Sequence, residues 1–134
     1  MNNNLFKKII IFISLLTLFF FLDRVSKIYI LQFVSNNLDT SIYINKFLSL
    51  NLVWNKGIAF GLFSFEKSLI YNLITALIVI INLIILYLVF IYKDIRAYFF
   101  LMILGGSLGN LFDRLYYRSV PDFIDINFEG YHWF

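Results

Sequence analysis

The residues of this 134-residue chain best suited to chemistry close an apolar run, Leu101 to Arg114, where Asn110, Asp113 and Arg114 bring together an amide, a carboxylate and a guanidinium. On a helix, Gly106, Asn110 and Asp113 fall at i, i+4 and i+7, so a small residue, an amide and an acid share one face. An ionisable group at membrane depth is costly and turns toward a bundle interior or a wet cavity, which makes Asp113 a functional candidate. The same stretch has a purely structural alternative. Gly105 and Gly109 form G-x-x-x-G, a spacing suited to close helix packing, and Asp113 with Arg114 would then mark only a membrane boundary.

Two further groups of polar residues stand out. Asp23 and Lys27 are i, i+4 neighbours in the favourable acid-first order, so a structural ion pair is expected between them. The segment Val53 to Phe63 mixes Asn55, Gly57, Gly61 and large aromatics, a composition that can turn sharply and lay rings on a membrane surface. It suits either a substrate-holding loop or a re-entrant turn in which Asn55 bonds backbone. The absence of Cys removes disulfides, thiolate nucleophiles and thiolate metal sites. His132 is the sole histidine, so a Ser-His-Asp device has little to draw on; beside Tyr131 and Trp133 it is expected as an interfacial neighbour.

The elements that must carry these residues follow from composition. With 61% hydrophobic and 14% charged residues, the chain has too little polar surface for a soluble domain of its size. The expectation is an all-α integral membrane protein, a single membrane domain over 1–134, with three transmembrane helices and a small extracytoplasmic β-containing segment. The net charge of +3 is spread along the chain rather than gathered into a basic tract, so no nucleic-acid partner is expected.

The first helix is expected over about 5–27, uncleaved, because Asp23, Arg24 and Lys27 follow its apolar run where a small-residue cleavage site would stand. Residues 35–68 read as extracytoplasmic loop and strand. Asn36, Asn37, Asp39 and Thr40 signal the loop, and Ser41 to Asn45 and Phe47 to Leu52 alternate polar with apolar. A second helix over about 69–92 has no formal charge, and its Asn72, Thr75 and Asn82 form a stripe expected to face other helices. The short Lys93 to Arg96 connection leads to a third helix over about 97–113 and an extracytoplasmic tail, 114–134. The charge count opposes the implied orientation. Lys7, Lys8, Lys93 and Arg96 fall on one side, and Arg24, Lys27, Lys46, Lys56, Lys67, Arg114 and Arg118 on the other, although the short flanks carry more weight than the long loop.

Four blocks in order give the chain a resemblance to the lipoprotein signal peptidases, or signal peptidase II, of bacteria. Asp23-Arg24-Val25-Ser26-Lys27 is similar to their D-x-x-[ST]-K block, and Asn55-Lys56-Gly57-Ile58-Ala59-Phe60-Gly61 to N-x-G-x-A-F-G. Gly105 to Arg114 resembles G-G-x-x-G-N-x-x-D-R, and Val120-Pro121-Asp122-Phe123-Ile124-Asp125 resembles V-x-D-F-I-D. The resemblance implies an aspartic endopeptidase of the bacterial cytoplasmic membrane, working at its extracytoplasmic face. Its substrate would be a lipid-modified prolipoprotein, cut just before the diacylglyceryl-cysteine, and its other partners membrane lipids. It implies no metal or organic cofactor. Asp113 would be one of two catalytic carboxylates, with Asn55, Gly57, Asn110, Arg114, Asp23, Lys27 and Asp122 binding substrate or supporting the site.

The family's second catalytic aspartate belongs to an F-N-x-A-D block that opens a fourth helix a few residues after a pair like Trp133-Phe134. The sequence ends at Phe134. Asp122 and Asp125 are the nearby carboxylates, but they match a different block. The expectation is therefore an inactive fragment, less stable than a longer parent. The rival expectation is a small non-enzymatic membrane assembly or channel-type protein whose glycines and asparagines only pack helices.

Overall fold

The computed structural model describes residues 3–37, 41–57, 68–128 and 131–133. Three helices and four strands follow one another as α1 (Asn3–Asn36), β1 (Ser41–Asn45), β2 (Leu48–Asn55), α2 (Ser68–Ile91), α3 (Ile95–Tyr117), β3 (Val120–Phe128) and β4 (Tyr131–Trp133). Each helix contains a stretch long and apolar enough to cross a membrane. The protein is a multi-pass membrane protein.

Helix α1 runs past the expected end near residue 27, to Asn36. The apolar patch Ile28 to Val34 holds neither Gly nor Pro to break it, so the charged interval Asp23 to Lys27 is carried inside a continuous helix. At about 1.5 Å per residue its 34 residues make about 51 Å, well beyond the ~30 Å hydrocarbon layer. Asn37 closes it, with its backbone N–H and side-chain Nδ2 donating to the Phe33 carbonyl at 3.1 and 2.8 Å. Helix α3 starts on an N-cap: Asp94 Oδ1 accepts the Arg96 N–H at 2.9 Å, and the Asp94 carbonyl accepts from Ala97 at 3.1 Å. It ends at Arg118, the only non-glycine with positive φ (61°) among the described residues, a left-handed closure that turns the chain into β3 two residues later.

The chain divides into two compact units, Met1–Arg24 with Ala76–Phe112, and Val25–Thr75 with Asp113–Phe134. In the first, α1 and α3 touch through small residues. A Cβ built on Gly105 would stand 2.6 Å from Phe19 Cβ and 3.1 Å from the Leu16 carbonyl, while one on Gly109 would collide with the Asp23 carboxylate. The G-x-x-x-G spacing here serves close packing. Ala97, Leu101 and Leu104 bury along the same helix, and the Phe12 and Tyr98 rings meet edge-on at 5.7 Å. On α2 the expected inward stripe is broken. Asn82 is buried, but Asn72 is exposed, and the part-buried Thr75 spends its hydroxyl on the Tyr71 carbonyl at 2.9 Å. The buried line runs instead through Ile74, Asn82 and Val89, at i, i+8 and i+15.

In the second unit the four strands form one antiparallel sheet in the order β1-β2-β3-β4. The strands expected from alternation appear as β1 and β2, and the tail expected after residue 113 supplies β3 and β4. Cα partners put Ile42, Leu48, Leu50, Ile124 and Ile126 on one face, and Tyr43, Ser49, Asn51 and Asp125 on the other. Bulges interrupt β1 between Tyr43 and Asn45, and β2 between Leu50 and Val53.

Candidate functional site

The second unit gathers most of the polar residues singled out above. Asn55, at the end of β2, spends both ends of its amide. Its Nδ2 donates to Asp122 Oδ2 at 2.8 Å, and its Oδ1 accepts the Gly57 N–H at 2.8 Å. The Gly57 carbonyl in turn accepts from Arg114 Nη2, and the Arg114 carbonyl accepts from the Tyr71 hydroxyl at 2.8 Å. The Arg114 guanidinium also lies 5.7 Å from the Tyr71 ring centre. Hydrogen bonds thus link β3, the end of β2, the end of α3 and the start of α2, fixing Asp122 against a buried frame.

Beside this frame, Lys27 Nζ donates to Asp113 Oδ2 at 2.8 Å, with Lys27 and Asp113 side chains 6% and 0% exposed. This contact ties Lys27 to an acid 86 residues away in the chain. Asp113 was expected as the reacting carboxylate; the structure holds it fully buried against Lys27. Asp122, by contrast, is only partly buried, with its Oδ2 held by Asn55. Arg114 is 3% exposed, and its Nε and Nη1 have no hydrogen-bond partner among the described residues. Buried guanidinium donors without acceptors are expensive, and they suit a carbonyl or carboxylate brought in by another molecule or segment.

The first unit holds the remaining expected residues. Arg24 Nε and Nη2 donate to Asp23 Oδ2 at 3.2 and 2.9 Å, and the Arg24 guanidinium lies 5.0 Å from the Phe112 ring centre. Asn110 is exposed, and Gly106 has open space where a Cβ would be; the face they were to share with Asp113 is not a single buried surface. The part of the Val53 to Phe63 segment after Gly57 lies outside the described residues, as do Asp39 and Thr40.

Sequence reasoning missed a second polar cluster in the sheet. Asp125, 1% exposed, accepts from Ser49 Oγ at 3.0 Å, and His132 Nδ1 lies 2.8 Å from its Oδ2. His132 is therefore the carboxylate partner of Asp125, beyond the interfacial neighbour expected from Tyr131 and Trp133. The run Ile124-Asp125-Ile126-Asn127-Phe128 alternates, and that signal was available for β3; no comparable signal marks Tyr71.

The chain has counterparts among known proteins. The family model described as Signal peptidase (SPase) II matches residues 15–134. The chain belongs to the signal peptidase II family. A lipoprotein signal peptidase of Pelagibacter ubique (strain HTCC1062) is 46% identical over 134 residues, covering all of this chain and 81% of the relative. One of Anaplasma marginale (strain Florida) is 36% identical over 129 residues, covering 95% of this chain and 74% of the relative. Among solved structures, a bacterial membrane enzyme superposes with a TM-score of 0.65 at 28% identity, covering 91% of this chain and 73% of that one. Signal peptidase II proteins are proteases, and the hydrogen-bonded frame around Asp122 is this family member's candidate site.

Proposed function

We propose that this protein removes signal peptides from lipoprotein precursors as an aspartic endopeptidase. On this reading it cuts before a diacylglyceryl-modified cysteine at the extracytoplasmic face of a bacterial cytoplasmic membrane. The observation that carries the assignment of roles is the contrast between Asp113, fully buried on Lys27, and Asp122, partly exposed and held by Asn55. Two neighbouring carboxylates that share a proton let one draw a proton from water while the other protonates or polarises the scissile carbonyl. Asp122 is the described carboxylate suited to face that water, and its partner in the reaction is the aspartate of the F-N-x-A-D block that the family resemblance implies.

Asp113 then acts from behind. Its pairing with Lys27 fixes the last turn of α3, from which Arg114 reaches the Gly57 carbonyl. Arg114 offers its two unpartnered donors to a substrate carbonyl, and Asn55 orients Asp122 without relaying protons, since amides and guanidinium groups do not titrate near neutral pH.

The test compares Asp122→Asn with Asp113→Asn in protein that carries the F-N-x-A-D segment, assayed on a lipidated precursor in bilayers. Asp122→Asn should reduce cleavage by ~100- to 10,000-fold, the range for losing an acid–base group, at an unchanged thermal midpoint. Asp113→Asn should lower the midpoint and retain measurable turnover. The reverse pattern would return the catalytic role to Asp113. Full cleavage by residues 1–134 alone would show that Asp122 and Asp125 suffice without a further aspartate.

A further inference from the structure

Strands β2 and β3 pair in two registers that differ by one residue. Before the β2 bulge, Leu48, Ser49 and Leu50 face Ile126, Asp125 and Ile124; after it, Val53, Trp54 and Asn55 face Asp122, Pro121 and Val120. The extra residue lets Leu50 and Val53, three apart, share the face that carries Asp122 and Ile124. Leu50 is thereby the diagonal neighbour of Asp122. If the later register ran through the whole pair, Asn51 would stand opposite Ile124 and take that place. A bulge leaves one residue outside the ladder, so backbone pairing by itself favours that uniform register. Side chains must hold the two halves one residue out of step.

One hydrogen bond does so on each side of the bulge. After it, Asn55 Nδ2 donates to Asp122 at 2.8 Å. Before it, Ser49 Oγ donates to Asp125 Oδ2 at 3.0 Å, between residues that are Cα partners. Asp125 lies three residues from Asp122, so the two acids project from opposite faces of β3 and their bonds grip the strand from both sides. The second grip reaches β4. There His132 is the Cα partner of Asn127, which places its ring diagonal to Asp125 on the same face, with Nδ1 3.0 and 2.8 Å from the two carboxylate oxygens. A carboxylate only accepts, so Nδ1 is the nitrogen that carries the proton in this contact. Asp125 is buried and the His132 side chain half exposed. To slide one residue along β2, Asp125 must give up a donor that solvent does not replace at its depth.

We propose that Asp125 is a positioning residue for the reaction. With Ser49 and His132 it pins the register before the bulge, and so keeps Leu50 rather than Asn51 beside Asp122. This rests on the reading of Asp122 as the reacting carboxylate; Asp125 acts through β3 and β2, from the face opposite the chemistry.

The register can be read directly, because the chain has no cysteine to confuse introduced pairs. Leu48→Cys with Ile126→Cys joins Cα partners of the observed register, and Leu48→Cys with Asn127→Cys joins those of the slipped one. In the chain in detergent, oxidation should link the first pair and not the second. Asp125→Leu should transfer the link to the second pair. His132→Leu, which removes one of two donors, should give both links, and His132→Asn, whose amide N–H stands where Nδ1–H stood, should keep the first. In protein carrying the F-N-x-A-D segment, Asp125→Leu should lower kcat on a lipidated precursor by up to about 100-fold at unchanged KM, the scale for a reacting group misplaced by about an ångström. Closing the Leu48→Cys, Ile126→Cys disulfide should restore most of that loss, and reduction should remove it again. A link that stays with the first pair in both leucine variants would overturn the proposal whatever the cleavage rate. So would a transferred link at parental kcat, or loss of both links, which would make Asp125 a residue of folding alone. The two readings fail separately: Asp122→Asn cleaving at the parental rate would take the chemistry from Asp122, whereas the cross-links bear on Asp125.

Discussion

Lys27 with Asp113 and Arg96 with Asp94 are pairs of the same chemistry at nearly the same separation, 2.8 and 2.6 Å, in opposite surroundings. The first lies in the second unit with its side chains 6% and 0% exposed; the other, at the α2–α3 connection of the first unit, has Arg96 and Asp94 59% and 49% exposed. Separation alone would rank the surface pair higher. What differs is the cost of losing a partner. A surface ion returns to water, whereas a buried one is left in a medium that cannot solvate it. Arg24–Asp23, at 2.9 Å and with side chains 10% and 19% exposed, stands between them.

The largest effect expected from this contrast is at Lys27. Lys27→Met strands the Asp113 charge and should lower stability by about 3–5 kcal/mol, read as a lower thermal midpoint in detergent. Adding Asp113→Leu to that variant should recover much of the loss. A single variant no worse than Asp94→Asn would break the comparison. Next comes Asn55→Ala, which leaves the Gly57 N–H without its acceptor and frees Asp122; a loss of about 1–3 kcal/mol is expected, with slowed but measurable cleavage. Complete loss of cleavage at an unchanged midpoint would give Asn55 a larger part in the chemistry.

The intermediate pair is tested through its neighbour. Gly109→Ala drives a methyl into the Asp23 carboxylate and should cost about 1–3 kcal/mol. Combining it with Asp23→Ala should give less than the sum of the two single losses, because one clash underlies both; strict additivity would show the groups to be uncoupled.

The smallest effect belongs to Asp94. The side-chain hydrogen bond from Arg96 holds its carboxyl below the ordinary value of 3.8. Its folded pKa is therefore the depressed one, so the pair's contribution is fully present above that ordinary value and lost as pH falls through the folded pKa. Asp94→Asn should leave the midpoint unchanged between pH 5 and 8 and differ from the parent only in acid. A difference at pH 7 as large as that of Lys27→Met would refute the ranking.

Much of this was legible in the residues, for identifiable reasons. Long uncharged runs specify helices, and strict alternation specifies β1 and β2, because both periods are local. Helix α1 was read too short because Asp23, Arg24 and Lys27 look like an ending, although a continuous helix can carry them when each has a partner. Strand β3 was read only as a motif: Pro121 near its start argues against a strand, and the alternation beyond it is short. The Lys27–Asp113 pair was not legible, because it joins residues 86 apart and no local spacing rule reaches that far. Sequence nominated Asp113 as the catalytic carboxylate and Asp122 as a binding or structural one. Which of them meets water depends on burial, a property of neighbours distant in the chain.

The corner at Arg118 has a consequence for chain length. Between Tyr117, the end of α3, and Val120, the start of β3, there are two residues, one of them in the left-handed conformation. Side chains alternate along β3 with a period of two, so the corner works as a counter. One inserted residue would put Ile124 where buried Asp125 stands and bring Asp125 out to the position of Ile126, turning a carboxylate onto the apolar face and a hydrocarbon into the socket of Ser49 and His132. One deleted residue reverses the strand in the same way. Parity at this corner decides which side chains of β3 are buried.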